Sequence, residues 1–265
     1  MCTELVRHGV ARDTQSAFAR TEPVVALALR RAAIGDAAIV GLAGELLVLD
    51  ALLNVVTPGA VPDVLDAWKG SAPSSRDFQL GDVGVEVKTT TASDSVHHVT
   101  GVHQVEPGTS VDGTPESALY LLSLGIRWLG RGATGGFTLP GLVDSVVARA
   151  HGAGVTEAVV DQLLTRVRQY GGDAGLGYDH ASDSQLPRFL QPFEVRFERL
   201  YDMGDDDIHV LDSASLAGAT HVDASTVEFT VRLPRRVRGD VNPVSGLRQI
   251  ARAITARAHL PTKQA

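Results

Sequence analysis

The chain has 265 residues, with 24 Lys or Arg against 31 Asp or Glu, a net charge of −7, and 44% hydrophobic residues. Its single cysteine, Cys2, excludes intrachain disulfides and zinc–cysteine clusters. No run of about 18 apolar residues is free of charge, and MCTELVRHGVARD lacks the apolar stretch of a signal peptide. The expectation is therefore a cytoplasmic protein without a membrane partner, made of one large domain or a domain with an appendage.

In chain order, residues 1–20 are poorly patterned. Thr21-Glu22-Pro23 signals a helix start, with helix expected through Arg31, a break at Gly35-Asp36, and a second, strongly apolar helix over 36–54. Thr57-Pro58-Gly59 and Pro62 break the chain, residues 63–69 form a short helix or loop, and SAPSS is a loop. A hairpin is expected over 76–90 and a strand over 95–104. ALYLLSLGIRWL, residues 118–129, is a continuous apolar run that suits a strand buried on both faces. Helices are expected over 139–149 and 155–170, an exposed loop over 171–186, strands over 193–203 and 225–234, and a last helix over 244–259. This order reads as α/β with a central mixed sheet.

The hairpin RDFQLGDVGVEVKTT holds the chemistry. With Gly81-Asp82-Val83-Gly84 as a four-residue turn, Leu80 would lie opposite Val85 and Asp77 opposite Lys88. Alternation puts Asp77, Glu86 and Lys88 on one face, and Phe78, Leu80, Val85 and Val87 on the other. Two carboxylates beside one ammonium can hold a divalent cation and position a water. The alternative is a surface lysine paired with an acid. Lysine is scarce, however: Lys69, Lys88 and Lys263 are the only three. Arginine would serve solubility as well, but not a role that needs a compact, deprotonatable ammonium.

On the 36–54 helix, Asp36, Asp50 and Asn54 form a polar stripe, and Glu45 lies about 140–180° away, among Gly41, Leu42, Val48 and Leu49. A carboxylate facing a core needs a partner, whether an internal ion pair or a metal. Gly41 and Gly44 would let another group approach closely.

This series, a helix Glu, then Asp77, Glu86-x-Lys88 and Gln104, resembles the PD-(D/E)XK nuclease superfamily. The string GLAGELLVLDALL…AWKGSAPSSRDFQL…VEVKTT…VHQVEP…LYLLSL resembles, more closely, a family of PD-(D/E)XK proteins found beside phage-defence and restriction genes in bacteria. FEVRFERLYDMGDDDIHVLDSASLAGATHVDASTVEFTVRL is similar to that family's C-terminal part, so the resemblance spans about residues 20–235. It implies a restriction-endonuclease-like core over 20–135, with a helical and β C-terminal part, an α+β extension, over 136–265. It further implies Asp77 and Glu86 as ligands of Mg²⁺ (or Mn²⁺), Glu45 as completing the metal shell or holding a metal-bound water, Lys88 beside the attacking water, and Gln104 near the site. Two departures are Arg76 where the motif has Pro, and His103-Gln104-Val105 where the family has Gln-Leu.

Charge is unevenly distributed. Residues 230–265 carry +7, against −14 for the other 229. Arg235, Arg236, Arg238, Arg248 and Arg252 are therefore candidates for gripping DNA phosphates, against the alternative of an ordinary amphipathic helix with an exposed Arg face. His97 and His98 point to opposite faces of one strand, and His97 and His103 lie about 20 Å apart at about 3.3 Å per residue, so a histidine metal site is not expected. Asp205-Asp206-Asp207 lacks calcium-loop spacing, and residues 132–136 lack the Lys of a phosphate loop. The function expected is metal-dependent hydrolysis of DNA in a bacterial defence or restriction system. The partners expected are DNA and other proteins of a defence gene cluster, with a homodimer left open. The alternative is a non-catalytic DNA-binding or assembly subunit of a defence complex.

Overall fold

A computed structural model describes residues 6–8, 10–70, 74, 76–110, 113–130, 132–171 and 177–264; of residues 23–36 it describes the backbone alone. The longest element is α1, Thr14–Val55, whose N-terminus is capped by Asp13 accepting from the Ser16 N–H at 3.1 Å. One helix thus replaces the two expected, and neither Thr21 nor Gly35-Asp36 bounds it. A lone glycine costs a helix only about 1 kcal/mol relative to alanine and removes no N–H, so flanking helix overrides it. The break at 57–59 is real: Val56 is extended and a 3-10 turn, Pro58–Ala60, leads into α2, Val61–Ala67.

The strands are β1 Phe78–Leu80, β2 Val83–Thr90, β3 Val96–Val99, β4 Ala118–Trp128, β5 Phe193–Asp202, β6 Phe229–Arg232 and β7 Val244–Ser245. Five form one mixed sheet in the order β1-β2-β4-β5-β7, in which only β2 and β4 run parallel. β5 and β7 come from the C-terminal half of the chain and continue the sheet begun by the first half. The remaining helices are α3 Leu139–Gly152, α4 Glu157–Gln169 and α5 Leu247–Arg257. Single helical turns lie at His180–Asp183 and Ser213–Leu216. The SAPSS loop and residues 172–176 of the 171–186 loop lie largely or wholly outside the described residues.

The apolar run of β4 is buried on both faces, as its sequence predicts. Leu122, Leu124 and Ile126 join the main core with Val83, Val85 and Val87, under α1, α3 and α5. Leu119 and Leu121 face a smaller core with Val99, Tyr201 and Val231, covered by the separate two-stranded sheet of β3 and β6. The Ala37–Val55 stretch of α1 is long and apolar enough to cross a membrane, but most of it is buried in this protein's own core.

Two strands are shorter than expected. β3 stops at Val99 because Gly101, at φ 156°, turns the chain into a 3-10 turn, Val102–Gln104. Of residues 225–234, only Phe229–Arg232 is strand.

α1 crosses β2 at Gly44, where a Cβ would come within 1.8 Å of Thr89 Oγ1, a buried oxygen without a hydrogen-bond partner among the described residues. Gly44→Ala should therefore destabilise the fold by about 1–3 kcal/mol through overpacking. Adding Thr89→Ala should recover most of that loss, since it removes the clash and an unsatisfied hydroxyl. Urea unfolding of the two single variants and the double variant checks this, and wild-type stability in Gly44→Ala would contradict the close crossing.

Candidate active site

β1 is only three residues long and pairs Phe78 with Val85 and Leu80 with Val83. The turn is therefore the two residues Gly81-Asp82, with Gly81 at φ 63°, and not the four expected. The same register, extended one residue, sets Asp77 opposite Glu86, not Lys88. A slip of two residues leaves every side chain on its expected face, because the strand period is two.

Past Val85 the outer edge of β2 has no strand partner. The next hydrogen-bonded pair would join Val87 to residue 76, but the chain has turned away, and Asp77 Oδ2 accepts the Val87 N–H at 2.6 Å instead. The Asp77 backbone is held from its other side, its carbonyl accepting the Lys69 N–H at 2.9 Å. Glu86 and Lys88 follow on β2, with Lys88 Nζ 2.9 Å from Glu86 Oε1. Lys88 also donates to Gln104 Oε1 at 3.1 Å, and that oxygen accepts the Thr100 N–H. The turn at Gly101 is what returns Gln104 to Lys88; a straight strand over 95–104 would have carried it away.

Glu45 arrives from the helix layer and is 3% exposed. Its Oε2 accepts the Trp68 Nε1–H at 2.7 Å, and its Oε1 accepts the Tyr170 hydroxyl. Burial, opposed by these two donors and assisted by the Glu86 charge, pushes its pKa up to about 7. Asp77 is also held well above the usual carboxylate range, by burial and then by the charges of Glu45 and Glu86. These mutual influences put the three carboxyl groups and Lys88 in one electrostatic neighbourhood.

Among the described residues, no group of three His, Cys, Asp or Glu is arranged to hold a metal ion. Asp77 Oδ1 and Glu86 Oε2 have no hydrogen-bond partner among the described residues, whereas both Glu45 oxygens are taken. The donor set is oxygen only. That chemistry fits a hard divalent cation, which Asp77 and Glu86 could hold.

Several residues of this neighbourhood had no signal in the sequence. Arg76, where the motif has Pro, is 2% exposed and ion-paired with Glu116, Nη2 to Oε2 at 2.6 Å. It also donates to the carbonyls of His103 and Glu106, so it ties the entry of β1 to the loop that carries Gln104. Gly84 makes room for the pair: a Cβ there would come within 2.4 Å of Glu116 Oε1. Gly41 likewise makes room for Tyr170, whose hydroxyl would lie 2.8 Å from a Cβ. Trp68 and Tyr170 stand 23 and 125 residues from Glu45, and no local pattern links such partners. Behind Lys88, buried His97 bonds Ser123 Oγ at 2.7 Å, and burial followed by the Lys88 charge lowers its pKa to about 4. His98 is exposed beside Glu228.

The basic C-terminal residues lie elsewhere. Arg235 pairs with Asp94, Arg236 with Asp240, and Arg238 with Asp205 and Asp207. Arg248 and Arg252 are exposed on α5, which follows β7, the strand at the opposite edge of the sheet from β1.

A mixed sheet flanked by helices, with an Asp at a hairpin entry and Glu-x-Lys on the returning strand, defines a restriction-endonuclease-like protein of the PD-(D/E)XK class. Residues 1–191 match the model of the DUF4420 family, whose description reads "Putative PD-(D/E)XK family member". The chain belongs to this family. The matched span contains Glu45, Asp77, Glu86, Lys88 and Gln104, and ends before the basic C-terminal segment. No curated protein and no solved structure matches the chain.

The raised pKa of Glu45 has a consequence for stability. An unfolded chain loses this proton near 4.5, whereas the folded chain keeps it to about 7. The contribution is therefore complete below about pH 4.5 and is lost as pH rises through about 7. In EDTA, wild-type stability should fall over that window by on the order of 3 kcal/mol from this group. Glu45→Gln, which stays neutral and can still accept from Trp68 and donate to Tyr170, should lack that share. Urea midpoints from pH 4.5 to 8 measure it; an unchanged slope in the variant would remove the burial account.

Proposed function

We propose that this chain is a divalent-cation-dependent nuclease that hydrolyses DNA phosphodiesters in the cytoplasm of a bacterium, within a defence or restriction system. One observation carries the reading: Asp77, Glu86, Lys88 and Gln104 meet along the stretch of β2 that β1 leaves uncovered. Asp77 and Lys88 are partly exposed there, so a phosphodiester backbone would approach along this edge. A cation bound there would supply Lewis-acid polarisation of the scissile phosphate and a lowered pKa for an attacking water.

The protein's own groups divide the remaining tasks. Asp77 and Glu86 present the oxygens that would hold the cation. Asp77 is oriented by the Val87 N–H and Glu86 by Lys88. Of the three Lys88 protons, one points to Glu86 and one to Gln104. The third is left to hold a water or a phosphate oxygen and to offset charge as it develops on phosphorus. Gln104 has an amide oxygen shared between Lys88 and the Thr100 N–H, so it sets the direction of the ammonium.

Purified protein should nick plasmid with Mn²⁺ or Mg²⁺ and lose that activity in EDTA. Lys88→Ala should lower cleavage by at least about 100-fold while leaving folding intact. Lys88→Arg should be equally impaired, because a guanidinium is larger and does not give up its proton. A Lys88→Arg chain with most of the activity would reduce Lys88 to a charge neighbour.

DNA would be gripped away from the site by the exposed Arg248 and Arg252. Arg235 and Arg236 would exchange their surface acids for phosphates at little cost because exposed ion pairs are weak, whereas Arg238 would have to leave the largely buried Asp205 as well as the exposed Asp207. Neutralising Arg248 and Arg252 together should flatten the salt dependence of DNA binding by roughly one unit of slope per lost contact. An unchanged slope, with no nicking by the wild type, would favour the second reading, a non-catalytic assembly subunit. The net charge of −7 and the acid-paired arginines support that alternative.

A further inference from the structure

Glu45 is held differently from the other two carboxylates. Both its oxygens accept hydrogen bonds from buried donors, Oε2 from the Trp68 indole at 2.7 Å and Oε1 from the Tyr170 hydroxyl. Trp68 is fully buried at the end of α2, and its backbone bridges to Phe78, the first residue of β1. Tyr170 is the residue that ends α4. The same helix reaches Trp68 a second way, since Arg166 Nη1 donates to the Trp68 carbonyl at 2.9 Å and to the Leu65 carbonyl at 2.9 Å. The C-terminal half of α4 therefore clamps Glu45 directly through Tyr170 and indirectly through Trp68.

Turning Glu45 toward a cation would leave an indole N–H and a phenol without an acceptor in a site sealed from water. Buried donors left that way are costly, and the indole has no other role it can take, being a donor only. Asp77 Oδ1 and Glu86 Oε2 carry no such restraint among the described residues. We propose that Tyr170 and Trp68 are positioning residues that hold Glu45 outside the cation's own ligand set, leaving ligation to Asp77 and Glu86. Glu45 then acts on the reaction from outside that ligand set, in the position that Trp68 and Tyr170 give it. This division rests on the nuclease reading above and assigns a task within it to residues from α2 and α4.

Calorimetric titration of Mn²⁺ into the full-length chain separates the carboxylates. Glu45→Gln and Tyr170→Phe should each bind Mn²⁺ within about threefold of wild type, whereas Asp77→Asn and Glu86→Gln should weaken it by more than tenfold. Plasmid nicking then tests whether Tyr170 acts through Glu45. Each single variant should lower kcat with little change in KM, and Tyr170→Phe combined with Glu45→Gln should be no slower than Glu45→Gln alone, within about twofold. A purely structural Tyr170 would give multiplied losses, which would overturn the proposal. So would a Glu45→Gln chain that loses Mn²⁺ as severely as Asp77→Asn, and that result would leave the nuclease reading standing. A wild-type chain that takes up no Mn²⁺ would overturn both.

Discussion

The backbone N–H of Val87 has no strand to bond. β1 covers β2 only as far as Val85, and the polypeptide before it leaves the sheet. An orphaned amide at a sheet edge needs an acceptor, because a buried or half-buried donor without one costs as much as a lost hydrogen bond. Asp77 provides it, at 2.6 Å. That bond fixes one carboxylate against the two residues flanking Val87, which are Glu86 and Lys88. Had β1 been two residues longer, Val87 would have been paired in the ladder and Asp77 would not be needed as its acceptor.

Around this opening the protein crowds three carboxyl groups against one ammonium. Glu45, Asp77 and Glu86 share the ammonium of Lys88, while Arg76, next to Asp77 in the chain, is ion-paired with Glu116. Burial and mutual repulsion keep Glu45 and Asp77 reluctant to ionise. Such crowding destabilises the protein alone and favours whatever brings positive charge to the edge. The surrounding clamps prevent the repulsion from spreading the groups apart. Arg76 and Glu116 fasten the Gln104 loop to the entry of β1, and Trp68 with Tyr170 fastens Glu45 to α2 and α4.

The chain also shows how two glycines serve packing and not flexibility. Gly44 lets α1 lie against Thr89, and Gly41 admits the Tyr170 phenol. Both flank Glu45, and their presence there was visible in the sequence as an invitation to close approach. What would approach was not. The occupants come from β2 and from the residue that caps α4, and neither is a ligand.

Much of the architecture could be read directly from residue order, because it rests on local periodicity. The buried β4, the α3 and α4 helices, the β5 strand and the hairpin all follow from runs and alternations within some ten residues. The shared face of Glu86 and Lys88 follows from the two-residue strand period, and it holds although the turn is two residues shorter than the sequence predicts. The misplacement of Glu45 on its helix followed from the helical period. Other features depended on contacts between distant segments. Whether Gly35 would break α1 was decided by the helix on either side. The turn at Gly101 after β3 brings Gln104 to Lys88 and to the Thr100 amide, a contact between segments that no strand pattern fixes. The partners of Arg76 and Glu45 lie up to 125 residues away. A sequence by itself determines which side chains share a face, since that depends on backbone geometry repeated every few residues. Only the tertiary structure decides which oxygens of those side chains are already occupied, since that depends on which distant donors the packing brings within hydrogen-bond reach.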